Sequence, residues 1–438
     1  MKIAIIGSGI TGLTVALSLQ EKFDLTLFEK EPRVGGHSNT IDIELEEGKV
    51  SVDTGFIVFN NKNYPLFSKL LDFLDVRSEW SDMSFGFSLN EGKMEYACDN
   101  LDKIFSQRSN LLSPNFVRGF LDLLRFQKES VRDLFNGSMG DLSLGSYLEK
   151  GNFSKWLQNN YLLPLGASIW SSSTKNMLDF PAKNFVTFFK NHDLMTGLKP
   201  AQRWRTISGG SRVYVNEIVS RFNGRVETKA EVVSVLRNDN SIKINLDNGT
   251  YERFDHVIFC CNAPTIDRIL SNKSTAERNT FGLLETSSNK CVIHSDDKLM
   301  PRRRKVWSSW NFLSRGEAID RGSPISATYW MNRLQNINSN TQVFLSLNPH
   351  KDISQEKIFS EMYYEHPVMN GQSFKAQEKI KELQGNGNVW FAGAWLGNGF
   401  HEDGVVSALE VCKNFVELPR WTFHDTLEDN PESLQAAE

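Results

Sequence analysis

Cysteine is scarce in this chain of 438 residues: Cys98, Cys260, Cys261, Cys291 and Cys412, odd in number and scattered. That excludes a disulfide framework and fits thiols kept reduced in a cytoplasm. No C-x-x-C pair or histidine cluster has zinc-ligand spacing, so no metal is expected. Basic residues are slightly outnumbered, 49 Lys and Arg against 53 Asp and Glu, for a net charge of -4. Duplex binding usually needs a basic face, so no nucleic-acid partner is expected. There is no run of about 18 or more apolar residues, which argues against a transmembrane helix. The opening Met1-Lys2-Ile3-Ala4-Ile5-Ile6 has the look of a signal peptide. Glycines interrupt its apolar run, however, no small-residue cleavage site follows, and acid appears by Glu21. The expected location is cytoplasmic, with peripheral contact to the inner membrane left open.

What is present suggests two domains, since a chain this long seldom forms one small unit. Hydrophobic residues make up 40%, ample for a large core. Phenylalanine is abundant, 30 residues against 10 Trp and 9 Tyr. Many will be core, but a wide apolar cavity would draw on the same residues.

Residues 2–6 form a short apolar run that ends at Gly7, and 13–19 follow with helical spacing. Residues 25–28 are a second apolar run, ending at Glu29. This reads as strand–turn–helix–strand, the opening unit of a doubly wound sheet. From 64 to about 155 the pattern is mostly helical, with 67–74 and 116–126 apolar on one face. Strand signals return at Val226, 232–236, 243–246 and 256–260, with Asn248-Gly249 as a hairpin turn. Further strands are expected at 326–330, 342–347 and 389–391, and a helix at 405–415. The acidic residues 425–438 read as a loose tail.

Gly7-Ser8-Gly9-Ile10-Thr11-Gly12 matches G-x-G-x-x-G. The motif is weak alone, but here it follows a strand and opens a helix, the context that a dinucleotide site requires. Gly7 permits the tight turn, Gly9 lets the backbone approach a pyrophosphate, and Gly12 lets helix and strand pack closely. The helix N-terminus offers unpaired N–H groups and a positive dipole to the phosphates. Glu29, at the end of the second strand, stands where an acid would bind the adenosine ribose. Lys30, Arg33 and Gly35-Gly36 extend this surface beyond the first loop, which favours the longer ligand FAD over NAD; Arg33 can neutralise phosphate charge. Val232 is placed to meet the adenine edge through its backbone. Gly393-Ala394 leads through Gly397 and Gly399 into a helix near Gly404-Val405, whose N-terminus can stabilise negative charge on the flavin. A cofactor motif at both ends of the chain implies a discontinuous FAD domain of residues 1–85, 205–290 and 385–418. Residues 86–204 and 291–384 would form the substrate domain, and 419–438 the tail.

Several blocks then carry a family resemblance. They include Gly35-Gly36-His37-Ser38-Asn39-Thr40, Val52-Asp53-Thr54-Gly55-Phe56-Ile57, Phe188-Phe189-Lys190-Asn191-His192, and Gly399-Phe400-His401-Glu402-Asp403-Gly404. Together they resemble the flavin amine oxidase superfamily, which includes protoporphyrinogen oxidases and carotene desaturases. Within it, the chain is similar to a bacterial family of FAD-binding oxidoreductases often encoded beside cyclopropane-fatty-acyl-synthase-like methyltransferases. It is also similar to the oxidase-like N-terminal part of plant cyclopropane fatty acid synthases. The resemblance implies an α/β (α+β overall) architecture: an FAD-binding Rossmann-type GR2 fold with an interleaved substrate domain of helices and a mixed sheet. It also implies that Gly36, His37, Ser38, Thr54, Gly55, Phe56 and Ile57 line the flavin, with Asp403, Gly404 and Val405 at its pyrimidine end. The implied substrate is a fatty acyl chain, methylated or unsaturated or carried in a phospholipid, and the implied partner a lipid methyltransferase. Asn262-Ala263-Pro264, Asn398 and Trp330 depart from the family pattern.

No second dinucleotide motif is evident, which favours substrate oxidation over a nicotinamide-fed reaction. An isomerase of unsaturated fatty acids, an amine oxidase and a non-catalytic partner of the methyltransferase are the alternatives. His401 and His192 are the candidate acid/base groups, because histidine titrates near neutral pH. Glu402 either orients His401 or caps the helix that follows it. The apolar helix 116–126, carrying Arg118 and Arg125, either packs on its own domain or lies on a membrane. Arg302-Arg303-Arg304-Lys305 is a compact basic run, suited to a lipid headgroup or to a solvated loop.

Overall fold

The structure is a computed structural model that describes residues 1–194, 203–238, 241–314 and 326–423. The strands Lys2–Ile6 and Asp24–Phe28 are buried along all but their first residue. Strands apolar on both faces belong in a parallel sheet covered on both sides. They pair in parallel with each other; Arg225–Glu227 flanks Asp24–Phe28, His256–Phe259 flanks Lys2–Ile6, and Val389–Phe391 pairs in turn with His256–Phe259. The resulting sheet of five strands has Lys2–Ile6 at its centre. All ten residues of the helix Ile10–Leu19 are buried, as expected of a helix that is apolar all round. It packs beneath the helix His401–Cys412. A three-stranded antiparallel sheet, Val232–Asn238, Ser241–Leu246 and Tyr251–Phe254, adjoins it.

A second, mixed sheet has seven strands in the order Ile358–Pro367, Thr286–His294, Phe344–Leu347, Ser326–Trp330, Trp310–Leu313, Phe85–Leu89, Met94–Ala97. Its core merges with that of the helices between Pro114 and Asn191. The division at residue 290 falls inside Thr286–His294, so a division by sheet membership runs before Thr286 instead. Residues 425–438, read as a tail, lie outside the described residues.

The stretch 64–155 is less helical than its composition suggests. After the helix Pro65–Leu74 it contains the strands Ser78–Ser81, Phe85–Leu89 and Met94–Ala97. These are too short to establish an alternation, and beyond the local pairing of Phe85–Leu89 with Met94–Ala97 their partners lie far along the chain, at Trp204–Ile207 and Trp310–Leu313. The last helix starts at His401 rather than Val405, because the Asp403 carboxylate accepts from the Phe400 N–H and fixes the first turn early.

Candidate functional site

One cavity of about 1340 Å³ runs between the parallel sheet and the seven-stranded sheet. It exceeds the roughly 300–1,000 Å³ of ordinary ligand pockets, and so has room for a long cofactor and a substrate together. At one end Gly7, Ser8, Gly9, Ile10 and Thr11 line it. Gly7 has φ +102°, and a side chain there would strike the Cys260 carbonyl at 2.9 Å. A first side-chain carbon on Gly12 would lie 1.9 Å from the Gly7 carbonyl oxygen, so Gly12 acts in packing behind the cavity. A side chain on Gly9 would meet no atom within 4 Å, since its open side faces the cavity. No side chain caps the helix Ile10–Leu19, and its first N–H groups remain available there.

Glu29 lines the cavity beside this loop, accepting from the Ser8 N–H at 3.1 Å and the Ser8 hydroxyl at 2.5 Å. The Gly35 N–H donates to the Ser8 carbonyl (3.0 Å) and hydroxyl (3.2 Å), stitching the two glycine turns together. Gly36, at φ +57°, approaches so closely that a side chain would come 3.1 Å from the Gly9 Cα. Arg33 donates to the Gly36 carbonyl at 2.9 Å. Lys30, Arg33, Gly35, Gly36 and Val232 all line the cavity, as do Gly393 and Ala394. Thr54, Gly55, Phe56 and Ile57 line it too. The Phe56 N–H donates to the His37 carbonyl, holding this segment against the second glycine turn.

Other residues named from the sequence stand one layer back, outside the cavity lining. Ser38 is buried, and its hydroxyl bonds the Tyr214 hydroxyl and lies 3.0 Å from His401 Nε2. Gly404 lies tight against the first helix, with Ile10 and Thr11 2.9 Å from any added carbon. Val405 is core. Asp403 caps its own helix, and burial pushes its carboxyl up to about 6. Glu402 neither orients His401 nor caps the helix that follows. It accepts from the Leu66 and Phe67 N–H groups, both at 2.9 Å, and so caps the helix Pro65–Leu74, with burial pushing its carboxyl up to about 7. The basic run is mostly compensated: Arg303 pairs with the buried Glu95 at 2.8 Å, Lys305 with Asp102 at 2.6 Å, and Arg304 lies 3.9 Å from Asp297.

The two candidate histidines differ in kind. His401 lines the cavity, but its ring stacks on Phe56 (centroids 3.6 Å apart), and Ser38 and Tyr214 occupy its Nε2. Burial, with the nearby His37 adding to it, holds His401 neutral. His192 lines the cavity as well, with Nδ1 2.9 Å from the Phe188 carbonyl oxygen. Nδ1 therefore carries the proton, and Nε2 is left as an acceptor. Burial lowers its pKa and keeps the ring neutral.

The sequence reading named His37 but missed its two aromatic partners, Tyr364 and His366. His37 stacks on Tyr364 (5.0 Å) and lies 5.3 Å from His366, all three lining the cavity. His37 Nε2 is buried with no partner, and burial lowers His37 to about 4 and His366 to about 3. Tyr364 and His366 alternate along the strand Ile358–Pro367 and so face the same side. That period of two was the available signal.

A profile of the flavin-containing amine oxidoreductase family matches residues 10–361, most of the chain. The chain belongs to that family. FAD is its cofactor, and it is an FAD-dependent oxidoreductase. The residues present fit the cofactor: an uncapped helix N-terminus, an open face at Gly9, a carboxylate at the strand end and an orphaned ring nitrogen on His37. Among solved structures, the flavoprotein is similar to a CLA-producing fatty acid isomerase from P. acnes at 14% identity and TM-score 0.67, covering 95% of this chain and 98% of that one. A putrescine oxidase bound to putrescine matches at 12% identity and TM-score 0.66, covering 94% and 99%. Cyclohexylamine oxidase from Brevibacterium oxydans matches at 13% and 0.67, covering 94% and 99%. At these identities the likeness is one of fold. No curated protein sequence matches the chain.

Proposed function

We propose that this flavoenzyme oxidises a long apolar substrate, a fatty acyl chain, by desaturation. The observation that carries this reading is the apolar lining of the cavity away from the glycine turns, where Tyr161, Leu165, Ile169, Leu345, Leu347 and Met362 contribute.

Bound FAD supplies a two-electron acceptor for hydride. The substrate thus loses a hydride from one carbon and a proton from the next, and Nε2 of His192 is the proposed acceptor of that proton. His401 is assigned to positioning, since its ring nitrogen is already engaged. An external oxidant such as O2 takes up the electrons. A lipid methyltransferase remains the proposed partner, as supplier of methylated acyl chains.

A second reading, isomerisation of an unsaturated fatty acid with no net redox change, is supported by the likeness to the fatty acid isomerase. Anaerobic mixing of the yellow protein with extracted membrane lipid separates the two. Bleaching of the oxidised flavin bands with a product two hydrogens lighter supports desaturation. A product of unchanged mass supports isomerisation, and no lipid-dependent change of either kind overturns both.

A further inference from the structure

Large apolar residues are unevenly exposed over this protein. Of the fifteen large hydrophobic residues exposed among the described residues, seven fall between 101 and 135: Leu101, Leu111, Leu112, Val117, Leu121, Leu124 and Phe135. Leu112, at the end of the short helical turn Arg108–Leu112, is 86% exposed. The helix Pro114–Phe135 buries Phe116, Gly119, Asp122, Phe126 and Ser130 against the protein. At 100° per residue, Val117, Leu121 and Leu124 share the diametrically opposite face. The helix is therefore apolar on two sides, and its own domain covers only one of them.

Charge on this stretch is also lopsided. Asp99, Asp102, Asp122, Glu129 and Asp133 are each ion-paired, with Lys103, Lys305, Arg125, Arg125 and Arg132 respectively. Arg108, Arg118 and Lys128 are exposed and make no ion pair among the described residues. Lys128 continues the stripe of Val117, Leu121 and Leu124, and Arg118 flanks it. An apolar stripe edged by unpaired cations suits the interface of an anionic bilayer, with leucines among the acyl chains and cations at the phosphates. The surface is also continuous with the active-site cavity, since Gln127 of the same helix, together with Cys98 and Asp99, lines it. No helix of the described residues is long and apolar enough to cross a membrane, so the contact is one of docking.

We propose that Leu112, Val117, Leu121 and Leu124, with Arg118 and Lys128, form a docking surface for an anionic lipid membrane. It places the cavity beside the bilayer. This surface would serve whichever reaction the cavity carries out.

The test uses the FAD-loaded protein and sedimentation with vesicles of phosphatidylcholine alone or mixed with phosphatidylglycerol. The expected result is sedimentation with the mixed vesicles and much less with phosphatidylcholine. The Leu121→Asp/Leu124→Asp double variant should lower partitioning roughly tenfold or more. The Arg118→Glu/Lys128→Glu variant should lose the preference for anionic vesicles while keeping bound FAD, which controls for folding. A wild-type protein that stays in the supernatant with mixed vesicles overturns the proposal. So does a dimer in solution that the Leu121→Asp/Leu124→Asp variant dissolves without any change in vesicle binding, which would assign the face to a second copy of the chain.

Discussion

Replacing His366 by Gln should flatten the acid side of this protein's stability curve. His366 is half-buried against His37, its Nδ1 3.0 Å from the Asn289 amide nitrogen, and desolvation lowers its pKa to about 3. Between 6.5 and 3 the unfolded chain binds a proton that the folded chain refuses, so stability falls as pH drops through this window. At pH 5, about 1.5 below the ordinary imidazole value, the cost is about 2 kcal/mol at about 1.36 kcal/mol per pH unit. Asp53 and Asp403, each pushed up to about 6, and Glu402, pushed up to about 7, act in the opposite sense. Their folded forms hold protons that the unfolded chain releases, so they add stability as pH falls from about 7. The wild-type curve is thus a sum of opposed terms, and the contrast with His366→Gln isolates one of them. Urea unfolding followed by tryptophan fluorescence at pH 7 and pH 5, with FAD in excess, provides the measurement. The wild type should lose about 2 kcal/mol more than the variant between the two values. If the two losses differ by less than about 0.5 kcal/mol, within extrapolation error, the neutral imidazole is refuted.

Gly12→Val should yield a colourless protein, because its added carbon meets the Gly7 carbonyl at 1.9 Å and must push the phosphate turn away. The overpacking costs about 1–3 kcal/mol, to be read as a lowered melting temperature together with absent flavin absorbance. Glu29→Gln should weaken FAD binding about tenfold or more, since hydrogen bonds to a charged group contribute about 1.5–3 kcal/mol; fluorescence titration of the apoprotein measures it. His192→Gln should lower kcat about 100-fold or more while leaving the flavin spectrum unchanged. An unaltered kcat would remove His192 from the proton-transfer role.

The parallel-sheet half was legible because its signals are local. A strand, G-x-G-x-x-G and a buried helix lie within the first 19 residues, and Glu29 follows at the end of the next strand. Those elements form where the pattern places them. The seven-stranded sheet was largely illegible, since the Phe85–Leu89 and Met94–Ala97 pair joins the rest of it only at Trp310–Leu313, more than two hundred residues away. Short strands with remote partners leave little periodicity to read. At the site, the glycine turns and His192 were visible as motifs. The roles of Glu402 and Ser38 were not, because each is decided by a neighbour from another segment: the Pro65–Leu74 helix for Glu402 and Tyr214 for Ser38.

The five strands of the parallel sheet are drawn from residues 2–6, 24–28, 225–227, 256–259 and 389–391. The centre of that sheet is thus synthesised long before its edge strand Val389–Phe391. From its own synthesis until residues 389–391 are made, the strand His256–Phe259 has an open flank that Val389–Phe391 fills. Pairings this distant in sequence form slowly and leave sticky edges exposed meanwhile. Gly393 and Ala394, which follow directly on that final strand, complete the cavity wall only after it has docked. A nascent chain can therefore shape its phosphate turn early but cannot enclose the cofactor until Gly393 and Ala394 have been made and docked, so enclosure of the flavin comes long after the phosphate turn has formed.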